Sequence, residues 1–193
     1  MDILYIIGLS LLAYLSGSVS AAIVTCKIMG LPDPRTEGSS NPGATNVYQI
    51  AGKKAAAITL VGDLLKGLIP VVIARLLGAD EWILSLVALS AFFGHLYPLF
   101  FGLKGGKGVA TAFGVIIGLN SFVALAMLLS WLAVFYLFKL SSLAALTTAI
   151  LTPLYFYYFD GSLTYTLMSM LMSVFLIIRH RSNIKKIIDG TED

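Results

Sequence analysis

The segment Leu103-Lys104-Gly105-Gly106-Lys107-Gly108 lies between two apolar runs that are each long enough to span a bilayer. It combines two cations with three glycines, and glycine allows a backbone to approach an anion closely. This glycine turn (residues 104–108) is therefore suited to holding a phosphate group. It is not a nucleotide-binding P-loop, because that motif needs glycine where Phe101 stands and serine or threonine at Gly108. The alternative is a tight interhelical turn whose lysines only mark the cytoplasmic side.

The composition indicates a membrane-embedded protein, since 58% of the 193 residues are apolar and only 12% are charged. We expect a single domain over residues 1–193. Asp2 stands where a signal peptide would carry basic residues, so the first apolar run is predicted to be a retained helix. Cys26 is the only cysteine, which excludes an internal disulfide and a cysteine-based zinc site. The net charge of +3 is small and the basic residues flank apolar runs, a pattern that favours an anionic membrane face over nucleic acid.

Apolar runs that could form spanning helices lie near residues 3–25, 55–77, 82–102, 109–138, 140–159 and 162–178. The fourth run is too long for one span, because its thirty residues would extend about 45 Å against a hydrocarbon core of about 30 Å. We therefore predict a break near residues 119–121, with a first piece, 109–119, that is short for a full crossing. The chain is then an all-α integral membrane protein, a bundle of seven transmembrane helices.

The distribution of charge supports this break, because cytoplasmic loops are enriched in lysine and arginine. With seven spans and an outside amino terminus, the carboxyl terminus is cytoplasmic and the short outer turns carry Asp80, Glu81 and Asp160. The cytoplasmic side then holds Lys27, Arg35, Lys53, Lys54, Lys104, Lys107, Lys139, Arg179, Arg181, Lys185 and Lys186. Without the break, Lys139 and the last cluster move to the opposite side from Lys104, and the pattern is lost.

The predicted topology collects two more polar segments on the cytoplasmic face. The 26–54 loop is rich in proline, glycine, serine and asparagine, so no regular helix is expected there and its backbone N–H groups suit an anion-binding nest. A flexible solvated loop is the alternative. Residues 179–192 contain Arg179, His180, Arg181 and Asn183, which can bind a phosphate and handle a proton. A basic membrane anchor explains the cations equally well, but not the imidazole or the amide.

Two charges lie inside the second predicted span. Asp63 and Lys66 are three residues apart and therefore share one helical face. Because charges at that depth normally pair and face protein, we favour an internal ion pair that shapes the bundle over a catalytic role. Gly114 and Gly118 form a small-xxx-small pattern that is typical of close helix contact.

The ordered motifs resemble those of the bacterial acyl-phosphate:glycerol-3-phosphate acyltransferases, the PlsY family. Motif 1 of that family is matched by Arg35, Gly38, Ser39, Asn41, Gly43, Ala44, Thr45 and Asn46, with Ser40 where glycine is usual. Motif 2 is matched by Gly94, His95, Tyr97, Pro98 and residues 104–111, and motif 3 by Arg179, His180, Asn183, Ile184, Gly190 and Glu192. Asp63, Lys66, Gly67 and Ser142 also fall at expected positions. The first helix departs, with Gly17-Ser18-Val19-Ser20 where the family often has Gly-Ser-Ile-Pro, which bears only on a local kink.

The resemblance implies transfer of a fatty acyl group from acyl phosphate to the sn-1 hydroxyl of glycerol 3-phosphate, giving lysophosphatidic acid and phosphate at the cytoplasmic face of the bacterial inner membrane. Lys104 would stabilise developing charge, His180 or the donor's phosphate would take the hydroxyl proton, and Asn183 with Ser142 would orient substrate. Substrate and phosphate binding is assigned to Arg35, Gly38, Ser39, Ser40, Asn41, Gly43, Thr45, Asn46, Gly105, Gly106, Lys107, Ser142 and Arg179. An acyl phosphate is already activated, so no covalent serine or cysteine intermediate, metal ion or cofactor is expected.

Two other function classes compete with this interpretation. A transporter or channel for phosphate-like anions should show polar groups near the bilayer midplane and inverted repeats, whereas the outer turns here are short. A phosphotransferase that acts on a nucleotide-activated lipid would need clustered metal-binding aspartates, and Asp63 stands alone in its helix. The expected partners are the two substrates and membrane lipid, with no nucleic acid and no obligatory protein partner.

Overall fold

A computed structural model describes residues 3–192, and within them the regular secondary structure is all helical, with no β-strand. The nine α-helices of this range are α1 (Ile3–Ser18), α2 (Ala21–Ile28), α3 (Ala44–Leu76), α4 (Glu81–Leu96), α5 (Val109–Leu119), α6 (Ser121–Phe138), α7 (Ser141–Tyr155), α8 (Leu163–Arg179) and α9 (Arg181–Ile188). A 3₁₀ turn (Leu99–Phe101) follows α4, and a π turn (Phe156–Asp160) continues α7. The all-α prediction is confirmed over this range. Asp2, on which the retained first helix was argued, lies outside it.

Several of these helices have the length and hydropathy of membrane spans. Within residues 3–192, four segments qualify on their own: Ala44–Leu76, Glu81–Phe101, Ser121–Phe138 and Ser141–Asp160. The count rises to six if each of two bent helix pairs is one span, α1 with α2 (bent by 45°) and α8 with α9 (bent by 61°). The 11-residue α5 is apolar but shorter than a span. The helices are those of a multi-pass membrane protein, while the seven-span count and the orientation of the termini stay predictions.

The chain divides into two compact units, the first ending at Leu119 and the second beginning at Asn120. In the first unit, α3 packs against α5, and α1 packs against α4. The α3–α5 crossing is close, because a Cβ added at Gly114 would overlap the carbonyl oxygen of Leu64. Gly118, one turn further along α5, also faces α3. The predicted close helix contact through these two glycines is confirmed.

The predicted break in the fourth apolar run is also confirmed. Asn120 caps α6 in the second unit by accepting hydrogen bonds from two backbone N–H groups of the first turn, at 2.9 and 3.1 Å, and its amide donates to Asp160 at 2.6 Å. In the first unit, Arg75 donates to the carbonyl oxygen of Leu119 at 2.5 Å, which satisfies a terminal carbonyl of α5. Side chains on both sides therefore stabilise the ends that the break creates.

One predicted run is bent and one predicted loop is wrong in its bounds. The first apolar run forms α1 and α2 with a 45° bend between them, where the Ser20 side chain accepts from the Ile23 N–H and Lys66 donates to the Val19 carbonyl at 2.7 Å. The 26–54 loop is shorter than predicted, since α3 begins at Ala44 and continues through a kink at Gly52, whose φ is 81°. No proline or glycine lies between Ala44 and that kink, so the sequence after the loop is free to form a helix.

Candidate active site

Asn46 organises motif 1. Its side chain is 1% exposed, and its Oδ1 accepts a hydrogen bond from the Ser39 backbone N–H at 2.8 Å. Its Nδ2 donates to the carbonyl oxygens of Pro34 and Glu37 at 2.8 and 3.1 Å. Both amide donors and the amide oxygen are thus used within the protein. These bonds fix the shape of the loop, and the predicted contact of Asn46 with phosphate stays a prediction.

The backbone of motif 1 turns sharply before α3. Gly38 has a φ of 58°, and a Cβ there would overlap the Asn46 amide oxygen. Ser40 has a φ of 56°, a left-handed conformation that glycine adopts without strain, which explains why glycine is usual at this position in the family. Gly43 precedes α3 as its N-cap residue. Of the remaining predicted residues, Ser39, Ser40 and Thr45 are exposed, while Asn41 is half-buried.

Arg35 forms an ion pair with Asp33. Its Nη2 donates to Asp33 Oδ2 at 2.7 Å, and its Nε lies 3.1 and 3.2 Å from the two carboxylate oxygens. The hydrogen bond from Arg35 lowers the pKa of the Asp33 carboxyl below its usual value. The pair lines an open cavity of about 330 Å³ together with Ile23, Cys26, Lys27, Leu31 and Phe101. A phosphate bound by Arg35 would therefore share the guanidinium with a carboxylate.

The glycine turn folds onto the end of α4. The Gly105 N–H donates to the Leu96 carbonyl at 3.2 Å, and a Cβ at Gly105 would overlap the His95 carbonyl oxygen. A Cβ at Gly106 would overlap His95 Nε2 and lie 3.3 Å from the Pro42 carbonyl oxygen. Both glycines are buried, Lys107 is half-buried and Lys104 is exposed. The glycines are thus required by packing, and the turn adjoins motif 1.

A buried charge cluster lies beneath the glycine turn. Asp63 Oδ1 is 2.9 Å from Lys66 Nζ and 3.7 Å from His95 Nδ1. The three residues are 2%, 8% and 6% exposed, respectively. The Asp63–Lys66 ion pair was predicted, and the structure adds His95 as a third member. Sequence reasoning gave His95 no role, although a histidine near the end of an apolar helix is itself an unusual feature.

Motif 3 lies in the second unit, where α8 ends and α9 begins. His180 is 3% exposed, and its Nδ1 is 2.8 Å from the Leu176 carbonyl oxygen. Because that carbonyl can only accept, we assign the proton to Nδ1, which leaves Nε2 as the basic nitrogen. Asn183 Nδ2 donates to Glu192 Oε1 at 2.5 Å, so a residue near the end of the chain fixes the orientation of this amide. Arg179 is half-buried.

Ser142 lies in the first turn of α7, which packs against α8 and α9. Its side chain is 5% exposed, and its hydroxyl has no hydrogen-bond partner within the protein. A buried hydroxyl without a partner is uncommon, and it is consistent with the predicted contact to substrate. No group of three or more His, Cys, Asp or Glu side chains among residues 3–192 is placed to hold a metal ion.

Comparison with known proteins identifies the family. A model of the glycerol-3-phosphate acyltransferase family matches residues 7–190. The glycerol-3-phosphate acyltransferase of Thioalkalivibrio sulfidiphilus is 52% identical over 180 residues, which are 93% of this chain and 89% of the relative. The enzyme of the same name from Ruthia magnifica is 48% identical over 192 residues, covering 100% of this chain and 97% of the relative.

The fold is also that of a solved enzyme. PlsY (YgiH), an integral membrane glycerol 3-phosphate acyltransferase, matches in its glycerol 3-phosphate form with a TM-score of 0.93 and 39% identity, over 98% of this chain and 94% of the other. Its lysophosphatidic acid form matches with a TM-score of 0.91 and 38% identity over the same shares. The motifs, the helices and the relatives agree, and this chain belongs to the PlsY family of integral membrane glycerol-3-phosphate acyltransferases.

Proposed function

We propose that this acyltransferase takes its acyl group from an acyl phosphate and places it on the sn-1 hydroxyl of glycerol 3-phosphate. The products are lysophosphatidic acid and inorganic phosphate. The two forms in which PlsY was solved, with glycerol 3-phosphate and with lysophosphatidic acid, support this acceptor and this product. The observation that carries the choice of donor is the supply of anion-binding groups: both substrates bear a phosphate, and all three motifs carry cations, with Arg35 and Lys104 in the first unit and Arg179 in the second.

The proposed reaction is a direct displacement. The sn-1 oxygen bonds to the acyl carbonyl carbon, and the bond between that carbon and the phosphate oxygen breaks, so the bonding electrons leave with phosphate. The hydroxyl proton passes to His180 Nε2 or to the departing phosphate. Lys104 and backbone N–H groups stabilise the negative charge that develops on the carbonyl and phosphate oxygens. Because phosphate is a good leaving group, the enzyme needs no covalent intermediate.

The remaining residues bind and orient substrate in this proposal. Arg35, Lys107 and Arg179 supply charge, and the turns of motif 1 and motif 2 supply backbone N–H groups. The Ser142 hydroxyl has no protein partner, which suits it to accept or donate a hydrogen bond to substrate. Asn183, whose amide is oriented by Glu192, positions the reacting groups. Asn46 contributes indirectly through the loop that it holds.

We place the active site on the cytoplasmic face of the bacterial inner membrane, because the lysines and arginines of all three motifs follow the positive-inside rule in the predicted topology. Lys104→Cys and Ser182→Cys, both at exposed positions and each made in a Cys26→Ser background, test this placement in intact cells. We expect both new cysteines to react only with a membrane-permeable maleimide. Reaction of either one with an impermeant maleimide added from outside would contradict the placement.

One assay tests the activity. Purified protein in nanodiscs receives palmitoyl phosphate and glycerol 3-phosphate, and mass spectrometry follows lysophosphatidic acid; palmitoyl-CoA replaces the donor in a parallel reaction. We expect product with palmitoyl phosphate and a rate at least about tenfold lower with palmitoyl-CoA, since the acyl carbon of the thioester is bonded to sulfur and has no phosphate beside it for these contacts to bind. Equal rates would contradict the proposed donor. Uptake of phosphate into sealed vesicles without acyl transfer would instead support the transporter alternative.

His180→Gln tests the proposed base. Glutamine retains a polar group at this position but cannot take a proton near neutral pH. We expect a lower turnover number, by about 10²-fold or more, and loss of the acid limb of the pH–rate profile. An unchanged rate and pH profile would exclude His180 as the base and leave the donor's phosphate in that role.

A further inference from the structure

The cluster of Asp63, Lys66 and His95 contains more polar groups than an ion pair requires. Asp63 Oδ1 and Lys66 Nζ form an ion pair at 2.9 Å, and Lys66 also donates to the Val19 carbonyl at 2.7 Å. The pair therefore has a structural role of its own, because it links α3 to the bend after α1. His95 adds a third polar side chain, 6% exposed, and the buried face of its helix α4 is apolar apart from Ser85. Polar groups at such positions are costly to bury, so its presence needs a reason beyond the pair.

The two edges of the His95 ring face different elements. Its Nδ1 lies 3.7 Å from Asp63 Oδ1, on the side of α3. Its Nε2 and Cε1 lie against Gly106, where a Cβ would overlap the former and come within 2.9 Å of the latter. The ring thus fills the space between a fixed carboxylate and the backbone of the glycine turn. The Asp63 backbone is itself fixed, because its carbonyl accepts from the Thr111 hydroxyl at 3.0 Å.

We propose that His95 is a positioning residue that sets the height and orientation of the glycine turn, and that the Asp63 carboxylate orients the imidazole for this purpose. The Gly105 N–H donates to the Leu96 carbonyl at the end of α4, and Gly106 contacts the His95 ring. The position of the backbone that carries Lys104 and Lys107 is therefore set by α4. The inference rests on the proposed role of this turn in binding substrate phosphate. A shift of about 1 Å in such a group can cost about 10²-fold in rate.

A merely structural histidine makes a different prediction. If His95 only filled the core, its loss would lower the fraction of folded enzyme, and the molecules that did fold would keep their substrate affinity. A positioning residue changes the affinity for phosphate in the folded enzyme. The Michaelis constants of folded protein, together with the exchange of the turn's backbone amides, therefore separate the two roles.

The experiment uses full-length enzyme in nanodiscs with palmitoyl phosphate and glycerol 3-phosphate as substrates. His95→Asn keeps a nitrogen near the position of Nδ1 and removes the edge that meets Gly106, whereas His95→Gln can place a nitrogen near the position of Nε2. Ser85→Ala is the matched control, because Ser85 is buried on α4 ten residues before His95 and is remote from the turn. Kinetics and hydrogen exchange of residues 103–108 are measured on each folded variant.

We expect His95→Asn to raise the KM of at least one phosphate-bearing substrate about tenfold and to speed exchange in the glycine turn, since contacts to charged groups are worth about this much. His95→Gln should recover at least half of that loss on a logarithmic scale, and Ser85→Ala should change neither measurement. An unchanged KM and unchanged exchange in His95→Asn, or a Ser85→Ala variant that behaves like it, overturns the proposal.

The role of Asp63 is tested by a double-mutant comparison. Asp63→Asn should raise the same KM, and it should have no further effect on KM in the His95→Asn background, because it acts through the ring. If the Asp63→Asn variant does not fold, the double variant Asp63→Asn with Lys66→Met, which removes both charges, is measured in its place. Additive effects on KM overturn the link between Asp63 and His95. Lys104→Ala is measured alongside: if it leaves both KM values and kcat unchanged, the proposed role of the turn has failed, and not the inference about His95.

Discussion

Asn46→Ala should loosen the motif 1 loop before any substrate binds. The Asn46 side chain makes three hydrogen bonds to the loop backbone, and each is worth about 0.5–1.5 kcal/mol. Their loss should lower the free energy of local opening by roughly 1.5–4.5 kcal/mol, which is about a ten- to thousandfold increase in the opening equilibrium. The helix that follows should keep its structure, because its packing does not depend on these bonds.

Hydrogen exchange followed by mass spectrometry measures this opening directly. We expect amides of residues 35–42, the Ser39 N–H among them, to exchange faster in Asn46→Ala without substrate, and the KM for a phosphate-bearing substrate to rise. Asn46→Asp keeps the acceptor for Ser39 but removes both donors, so it should be at least as damaging. Gln49→Ala, an exposed position one turn later in α3, is the matched control and should leave the loop unchanged.

One outcome would refute the reasoning. If Asn46→Ala raised the KM while the loop of the substrate-free enzyme exchanged as slowly as in the wild type, Asn46 would act by contacting substrate. The distinction matters because both roles use the same amide side chain and differ only in when that amide is used.

Three further predictions concern stability and pH. Lys66→Met should lower the free energy of unfolding by about 3–5 kcal/mol, because Asp63 is left buried without its partner, and Asp63→Asn added to it should restore most of the loss in thermal unfolding. Gly114→Ala should cost about 1–3 kcal/mol by overpacking the α3–α5 crossing, whereas Gly8→Ala, with open space around it, should not lower the melting temperature. Asp33→Asn should leave the pH–rate profile unchanged between about pH 6 and 9. Because the pKa of the Asp33 carboxyl is lowered in the folded protein, the stability that its ion pair with Arg35 contributes is present above the ordinary carboxyl pKa and is lost only at lower pH. A shifted profile would contradict the lowered pKa.

The spans were largely predictable because bilayer thickness and charge distribution are strong constraints on a chain of this composition. The break before α6 followed from the length of the fourth run, and the structure places the cap at Asn120, inside the predicted interval. The bend after α1 was not predictable in the same way. Ser20 at the start of α2 is a local capping signal, but the Lys66 amino group reaches the Val19 carbonyl from 47 residues away, and a contact of that separation leaves no local pattern in the sequence.

The chemistry of the site was readable from residue types, but the task of each residue was not. The sequence indicates that the glycines of the turn let an anion approach the backbone. The structure adds a second reason for glycine, because any side chain at Gly105 or Gly106 would overlap His95. Asn46 was interpreted as a phosphate ligand, and its amide is bonded to the loop. In both cases the partner lies in the protein itself, which only the folded chain can show.

These contacts are made between the protein's own groups and involve no substrate atom. A loop whose turns are fixed by its own side chains loses less conformational entropy when an anion binds, so less of the binding free energy of its N–H groups and cations is lost in ordering the loop. Asn46 in the first unit and the Glu192 bond to Asn183 in the second both serve such preorganisation. Conservative changes at these buried supports should therefore harm the enzyme more than changes at exposed Thr45, even though Thr45 lies in the same motif.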